Sequence, residues 1–357
     1  MSGSWDPPSR TAADGIANVR QRPPRRASRP VEDATGPWLA NPPLSAGFAG
    51  LFKVDTAKYR APILAAATDG VGVKQAIAGQ LGVYHTVGVD VVAMVADDVV
   101  ACGAEPLFLL TQLRIGQMRT DDVSSIMAGV TNGCDIIGCQ LIESAVAHSP
   151  GVGRDDDFDL SATGIGIVEA DDLLGRHRIN AGDLLIAMAS SGLHANGFGI
   201  VRSAVLGHGR ARLDSVVDDI DGERTLGEVL LTPTRIYAPA VRELVAAGAV
   251  CALAHITGGG IPGNVSRILP EFADARVDRG TWMPQPVFGY IAANGRISAA
   301  DMERSFNMGV GMIAVVPPDE ADQTVATLTG LGQEAWVVGE IVPGDGRVRM
   351  VGTYRQP

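Results

Sequence analysis

Four short stretches of the chain gather residue types able to hold cations, anions and protons. The first, Thr68-Asp69-Gly70-Val71-Gly72-Val73-Lys74, closes a strand-like run from Pro62 to Ala67. It offers a carboxylate for a cation, unhindered backbone N–H groups for a phosphate and an ammonium for charge. It lacks the Walker A spacing, and taken alone it also reads as a plain strand-to-turn connection. The second is Asp90, Asp97 and Asp98, on one expected helix. Seven and eight residues are about two turns, so the three acids share roughly one side. Carboxylates on an otherwise Val, Ala and Met helix are costly to bury without a counter-charge, which Mg²⁺ bridging to phosphate would supply. The alternative is an exposed acidic face.

The third stretch, Ser190-Ser191-Gly192-Leu193-His194-Ala195-Asn196-Gly197, puts two hydroxyls, an imidazole and a carboxamide after the strand-like run Leu184 to Ala189. Ligand sites of α/β proteins gather at such strand ends, and His194 there reads as a proton carrier or a phosphate donor. The fourth is His255-Ile256-Thr257-Gly258-Gly259-Gly260-Ile261-Pro262-Gly263-Asn264. Gly258 to Gly263 fits G-x-G-x-x-G formally, but Pro270, Pro284 and Pro286 interrupt what should follow in a dinucleotide fold. A glycine turn feeding a helix start and holding an anion explains the same residues more simply.

The elements that must position these groups alternate along the chain. Apolar spacing predicts helices from Gly88 to Cys102 and from Asp121 to Cys134, with strands over Pro106 to Leu113, Asp159 to Val168 and Leu184 to Ala189. Helix and strand continue to alternate to about Gly339, so both halves read as α/β. The expected boundaries are an extended Arg/Pro-rich segment over 1–45, one domain over 46–176 and a second over 177–357. The 44 glycines among 357 residues, about 12% against a usual ~7%, call for many tight turns and close backbone approaches.

Composition narrows the partners. Lys plus Arg number 29 and Asp plus Glu 40, a formal net charge of −11, which argues against general nucleic-acid binding. Cys102, Cys134, Cys139 and Cys251 show no CxxC or His-pair spacing and read as free thiols of a cytoplasmic protein. No apolar run approaches the ~18 residues of a membrane span, and no secretory signal is expected.

In order and spacing, these stretches together with Gly47-Phe48-Ala49-Gly50-Leu51-Phe52, residues 88–108, 182–202, 230–237 and 305–316 resemble the aminoimidazole ribonucleotide synthetase family over about 46–345. The resemblance implies a two-domain PurM-like α/β (α+β) fold whose N-terminal domains share a barrel in a homodimer. It also implies an enzyme that uses ATP and Mg²⁺ to close the imidazole ring of a small ribonucleotide substrate. By matching positions, Asp69, Asp98, Asp97 and Glu143 would surround Mg²⁺. Lys74, His194 and Asn196 would join Asp69 as active-site groups, and Thr68, Gly70, Gly72, Ser191, Thr257, Gly258, Gly259 and Gly260 would hold nucleotide or phosphate.

Three departures accompany the resemblance. The family's Gly-Gly-Glu-Thr/Ser-Ala after Gly-Cys is replaced by Gln140-Leu141-Ile142-Glu143-Ser144-Ala145. Counted without a gap, Ala145 takes the place of the acid; a two-residue shift keeps Glu143. Leu109-Leu110-Thr111-Gln112 stands for Phe-Leu-Asp-Tyr, and the family's N-terminal opening gives way to the Arg/Pro stretch. A rearranged metal shell in the same enzyme, a paralogue acting on another amide, and a nucleotide-binding partner without turnover all accommodate these changes.

Overall fold

The computed structural model of the chain describes residues 44–45, 49–149, 157–207 and 211–356. The expected extended segment lies outside them except for Leu44–Ser45, which pairs antiparallel with Gly50–Leu51.

Two sheets organise the rest. The first has β1 (Pro62–Gly70), β2 (Glu105–Ile115), β3 (Gln140–His148) and β4 (Phe158–Glu169) in the order β1-β4-β2-β3. Only β2 and β3 run parallel, joined by a helical crossover. The second holds β5 (Leu184–Ala189), β6 (Ala252–His255), β7 (Ala273–Asp278), β8 (Val310–Val316), β9 (Ala335–Pro343) and β10 (Val348–Val351) in the order β10-β7-β9-β5-β8-β6. It is antiparallel apart from the β10/β7 edge. The architecture is therefore mixed α and β with chiefly antiparallel sheets, the α+β side of the expectation.

The expected elements all form, mostly a few residues longer. Leu184–Ala189 falls where alternation placed it, and the helix expected from Gly88 begins three residues earlier, giving α2 (His85–Ala101). The turn after β1 leads into α1 (Lys74–Leu81), and α3 (Thr120–Ile137) packs across α2. Gly88 and Gly129 allow that crossing: a Cβ on Gly129 would stand 2.0 Å from the His85 carbonyl oxygen, and one on Gly88 2.2 Å from that of Ile126.

Helix α2 is buried on nearly every side, as an all-round apolar helix should be. It touches β1, β2 and β4 on one side, and α4 (Ala238–Ala246) and β6 on the other. Its fully buried valines, such as Val91, Val92 and Val95, each contribute about 1.5–3 kcal/mol of transfer free energy. The helix thus fixes where acids of the first sheet meet the loops of the second. No helix among the described residues is long and apolar enough to cross a membrane.

Candidate active site

The three acids of α2 divide. Asp90 and Asp97 lie seven residues apart, on one stripe, and both are fully buried. Asp90 Oδ1 accepts the Thr234 N–H at 2.7 Å, the Thr234 hydroxyl at 2.6 Å and the Lys74 ammonium at 2.9 Å. Asp97 Oδ1 accepts the N–H groups of Tyr237 and Ala238, at 2.9 and 2.8 Å, where α4 begins. A carboxylate there answers the positive end of the helix dipole. Burial pushes the Asp97 carboxyl up to about 7, against the pull of His255 and the two N–H donors. Asp97, expected to surround Mg²⁺, gives its Oδ1 to these two N–H groups, while its buried Oδ2 has no hydrogen-bond partner among the described residues.

Asp98, one residue on and turned about 100° around the helix, reaches the edge. Its side chain is 44% exposed and its Oδ1 lies 2.8 Å from His255 Nδ1. Across the gap, Asp69 sits near the end of β1 on the face turned towards α2, with the Gly70 N–H donating to its Oδ1 at 2.7 Å. Burial raises the Asp69 carboxyl above its usual range; the Gly70 N–H and His255 act against this, and Asp98 adds to it. Burial also opposes charge on His255, but Asp98, Asp97 and Asp69 together outweigh it and hold the imidazole above its ordinary range. The stretch 255–264 suggested an anion cradle, and nothing in it marked His255 as the partner of an acid 157 residues earlier.

Among the described residues, no cluster of three or more His, Cys, Asp and Glu is arranged to hold a metal. Asp69 and Asp98 nevertheless offer hard oxygens on neighbouring elements, and Mg²⁺ commonly takes one or two carboxylates with phosphate oxygens and water completing its shell. The donor chemistry therefore fits Mg²⁺ bound together with a phosphate-bearing ligand.

Glu143 is not brought to this pair within one chain. It lies on β3 opposite Leu110, in the cross-sheet row Thr68, Thr163, Leu110, Glu143. The next row is Asp69, Ala162, Thr111, Ser144, and side chains alternate between faces. Glu143 is exposed on the face away from α2, whereas the Thr111 hydroxyl donates inward to Ser144 Oγ at 2.9 Å. A register shift between Leu109 and Leu110 precedes both rows, and ordinary strand alternation separates the two settings. Thr68 is on the outer face too, its Oγ1 2.9 Å from that of Thr163.

The Ser190–Gly197 loop is built from within. His194 is 2% exposed, with φ of 63°, and its Nε2 accepts the Ser191 N–H at 3.2 Å. Burial, then the neighbouring His255, Lys74 and Arg235, hold its pKa well below the ordinary range, so the ring is neutral. The residue expected as a proton carrier or phosphate donor is, in this structure, a buried acceptor. The Ser191 hydroxyl donates to the Pro233 carbonyl at 2.6 Å, and buried Asn307 donates through Nδ2 to the Gly192 carbonyl at 2.9 Å.

Asn196 does reach the glycine turn: a Cβ on Gly258 would lie 3.3 Å from its Oδ1. Gly259 and Gly260 have φ of 101° and 61°, and a Cβ on Gly260 would stand 1.8 Å from the Glu303 carbonyl oxygen, so the turn requires glycine. Thr257 Oγ1 lies 3.4 Å from Asn264 Oδ1, and the Asn264 amide donates to the Gly260 carbonyl at 2.8 Å. Gly72, with φ of 51°, has open space where a Cβ would be. The structure thus brings Asp69, Asp98 and His255 into one acidic cluster, sets Asn196 against Gly258 in a neighbouring turn, buries Lys74, Asp97 and His194, and leaves Glu143 on the opposite sheet face.

Comparison with known proteins identifies the family and the fold. Residues 53–168 match the family described as AIR synthase related protein, N-terminal domain, and residues 180–351 match its C-terminal domain. The phosphoribosylformylglycinamidine cyclo-ligase of Carboxydothermus hydrogenoformans is 40% identical over 302 residues, covering 85% of this chain and 87% of that protein. The enzyme of the same name from Symbiobacterium thermophilum is 43% identical over 310 residues, covering 84% and 86%. Among solved structures, thiamine-monophosphate kinase from Stenotrophomonas maltophilia superposes with a TM-score of 0.60 at 19% identity, covering 86% of this chain and 90% of that one. Hydrogenase maturation protein HypE in complex with ATP gives 0.61 at 16% identity, covering 90% and 88%. These likenesses are of fold.

Proposed function

The chain belongs to the AIR synthase related protein family, and on that premise we propose that it is an ATP-dependent cyclo-ligase closing the imidazole ring of formylglycinamidine ribonucleotide in purine biosynthesis. The formamide oxygen is a poor leaving group. Transfer of the γ-phosphoryl to it gives an iminophosphate, which the amidine nitrogen attacks as the C–O bond breaks and phosphate departs, leaving ADP and the ring. The protein's task in such a reaction is to position the groups and offset charge.

The observation that carries this reading is the pair Asp69 and Asp98, open at the meeting of the two sheets and linked to His255. Asp69 and Asp98 would hold Mg²⁺, which when bound offsets charge on the phosphate oxygens. Thr257 to Gly260 would offer backbone N–H groups to an anion, and Asn196 would orient the substrate beside them. Incubation with ATP, Mg²⁺ and formylglycinamidine ribonucleotide tests the reading: ring product formed with ADP supports it. ADP formed only with another amide would point to a paralogue, the second reading, which the displaced Glu143 and the inward Thr111 favour. Nucleotide bound without ADP would make the protein a partner without turnover.

The outer face of the first sheet supports a homodimer. Leu64 is 65% exposed, with Ala66, Ile165 and Phe108 continuing the apolar strip on the same face. Such a face calls for a cover, and a second sheet closing on it as a shared barrel would also remove the open edges of β1 and β3. Leu64→Glu should shift the protein from dimer to monomer in sedimentation; an unchanged mass would contradict the interface.

A further inference from the structure

Lys74 stands five residues after Asp69, at the start of α1, where its position in the sequence suggests an ammonium meeting phosphate. Its Nζ is buried instead. It lies 2.9 Å from Asp90 Oδ1, 3.0 Å from the His194 carbonyl oxygen and 2.8 Å from the Thr232 carbonyl oxygen. Those three acceptors use all three N–H donors of an ammonium. The ring of Phe198 lies 5.6 Å from Nζ and closes another side. Turning the ammonium towards a ligand would leave Asp90 buried without its counter-ion, a costly state.

The partners show what the arrangement does. Asp90 belongs to α2, Thr232 precedes the Thr234 that also binds Asp90, and His194 sits in the Ser190–Gly197 loop with φ of 63°. A non-glycine residue keeps that conformation only where its surroundings over-determine it. The Lys74 bond to the His194 carbonyl is one such constraint, and the Ser191 N–H to His194 Nε2 is another. Two residues further on, Asn196 lies against Gly258.

We infer that Lys74 is a positioning residue: its ammonium ties the turn after Asp69 to the His194 carbonyl, sets the Ser190–Gly197 loop against the glycine turn, and does not touch nucleotide phosphate. The effect on turnover rests on the cyclo-ligase reading; the tie itself does not.

The test uses Lys74→Met and, because a lone buried Asp90 can prevent folding, Lys74→Met with Asp90→Asn, which removes both charges. Mg-ATP affinity should stay within about threefold of wild type, amides of 190–201 should exchange about tenfold faster, and kcat should fall about 100-fold with the ATP KM unchanged. Nucleotide affinity weakened about tenfold or more, or unchanged exchange in the loop, overturns the inference. In the wild-type protein, the ¹⁵N resonance of the Lys74 ammonium should stay in place on saturation with Mg-ATP, and a shift typical of phosphate contact overturns it even if neither variant folds. Should wild type close no ring, the functional reading falls alone, since exchange and affinity still decide the role of Lys74.

Discussion

Asp90 and Asp97 are chemically identical to Asp69 and Asp98, yet the two pairs live in different electrostatic settings. The inner pair is fully buried and met by N–H groups, a hydroxyl and an ammonium supplied by the chain itself. The outer pair keeps oxygens facing open space, with a histidine holding one of them. The difference teaches that an acid on an apolar helix announces a counter-charge without saying whose. Where the fold provides it, the acid is part of the frame; where the fold leaves it wanting, the acid is available to a ligand.

The sharpest way to break this contrast is Asp69→Asn. Turnover should fall about 10³-fold or more while the thermal midpoint is unchanged, since one oxygen is retained for the Gly70 N–H. Near-wild-type rates in a steady-state assay would remove Asp69 from the site. Next comes the frame: Gly129→Val drives atoms into the His85 carbonyl and should cost about 3 kcal/mol in denaturant unfolding. Stability equal to wild type would mean that the α2–α3 crossing yields freely.

Asp97→Ala strands the Tyr237 and Ala238 N–H groups and should cost about 2 kcal/mol, whereas Asp97→Asn keeps an acceptor and most of the stability. Equal losses in the two variants would show that the charge, not the acceptor, matters there. The smallest effect is a pH dependence. His194 is held neutral in the native state while the unfolded chain titrates near 6.5, so stability is full above that pH and declines as pH falls below it. At pH 5.5 wild type should have lost about 1.4 kcal/mol that His194→Gln keeps. Parallel pH profiles would contradict a buried neutral ring.

Much of the frame was legible because it is local. The unbroken apolar run Leu184–Ala189 and the Val spacing of α2 each define an element from neighbouring residues alone. The roles of single acids were not, because their partners are remote: Thr234 lies 144 residues from Asp90, and His255 lies 157 from Asp98. Helix geometry held part of the answer. Asp90 and Asp97 are seven residues apart and share a stripe, while Asp98 is turned about 100° from Asp97, enough for one to be buried and the other to reach the edge. Strand parity likewise separates Glu143 from the row containing Asp69 once the register is known, and a register shift between Leu109 and Leu110 is invisible in residue types. The glycine turn was legible as a need for glycine, but its physical cause, the Glu303 carbonyl against Gly260, is tertiary.

The division between frame and ligand acids is tested most directly by calorimetric titration of ATP, with and without Mg²⁺, into wild type, Asp98→Asn and Asp97→Asn. Magnesium-dependent binding should weaken about tenfold or more in Asp98→Asn and stay within about threefold of wild type in Asp97→Asn. Loss of binding in Asp97→Asn with Asp98→Asn unaffected, or nucleotide binding in wild type that ignores Mg²⁺, would contradict it.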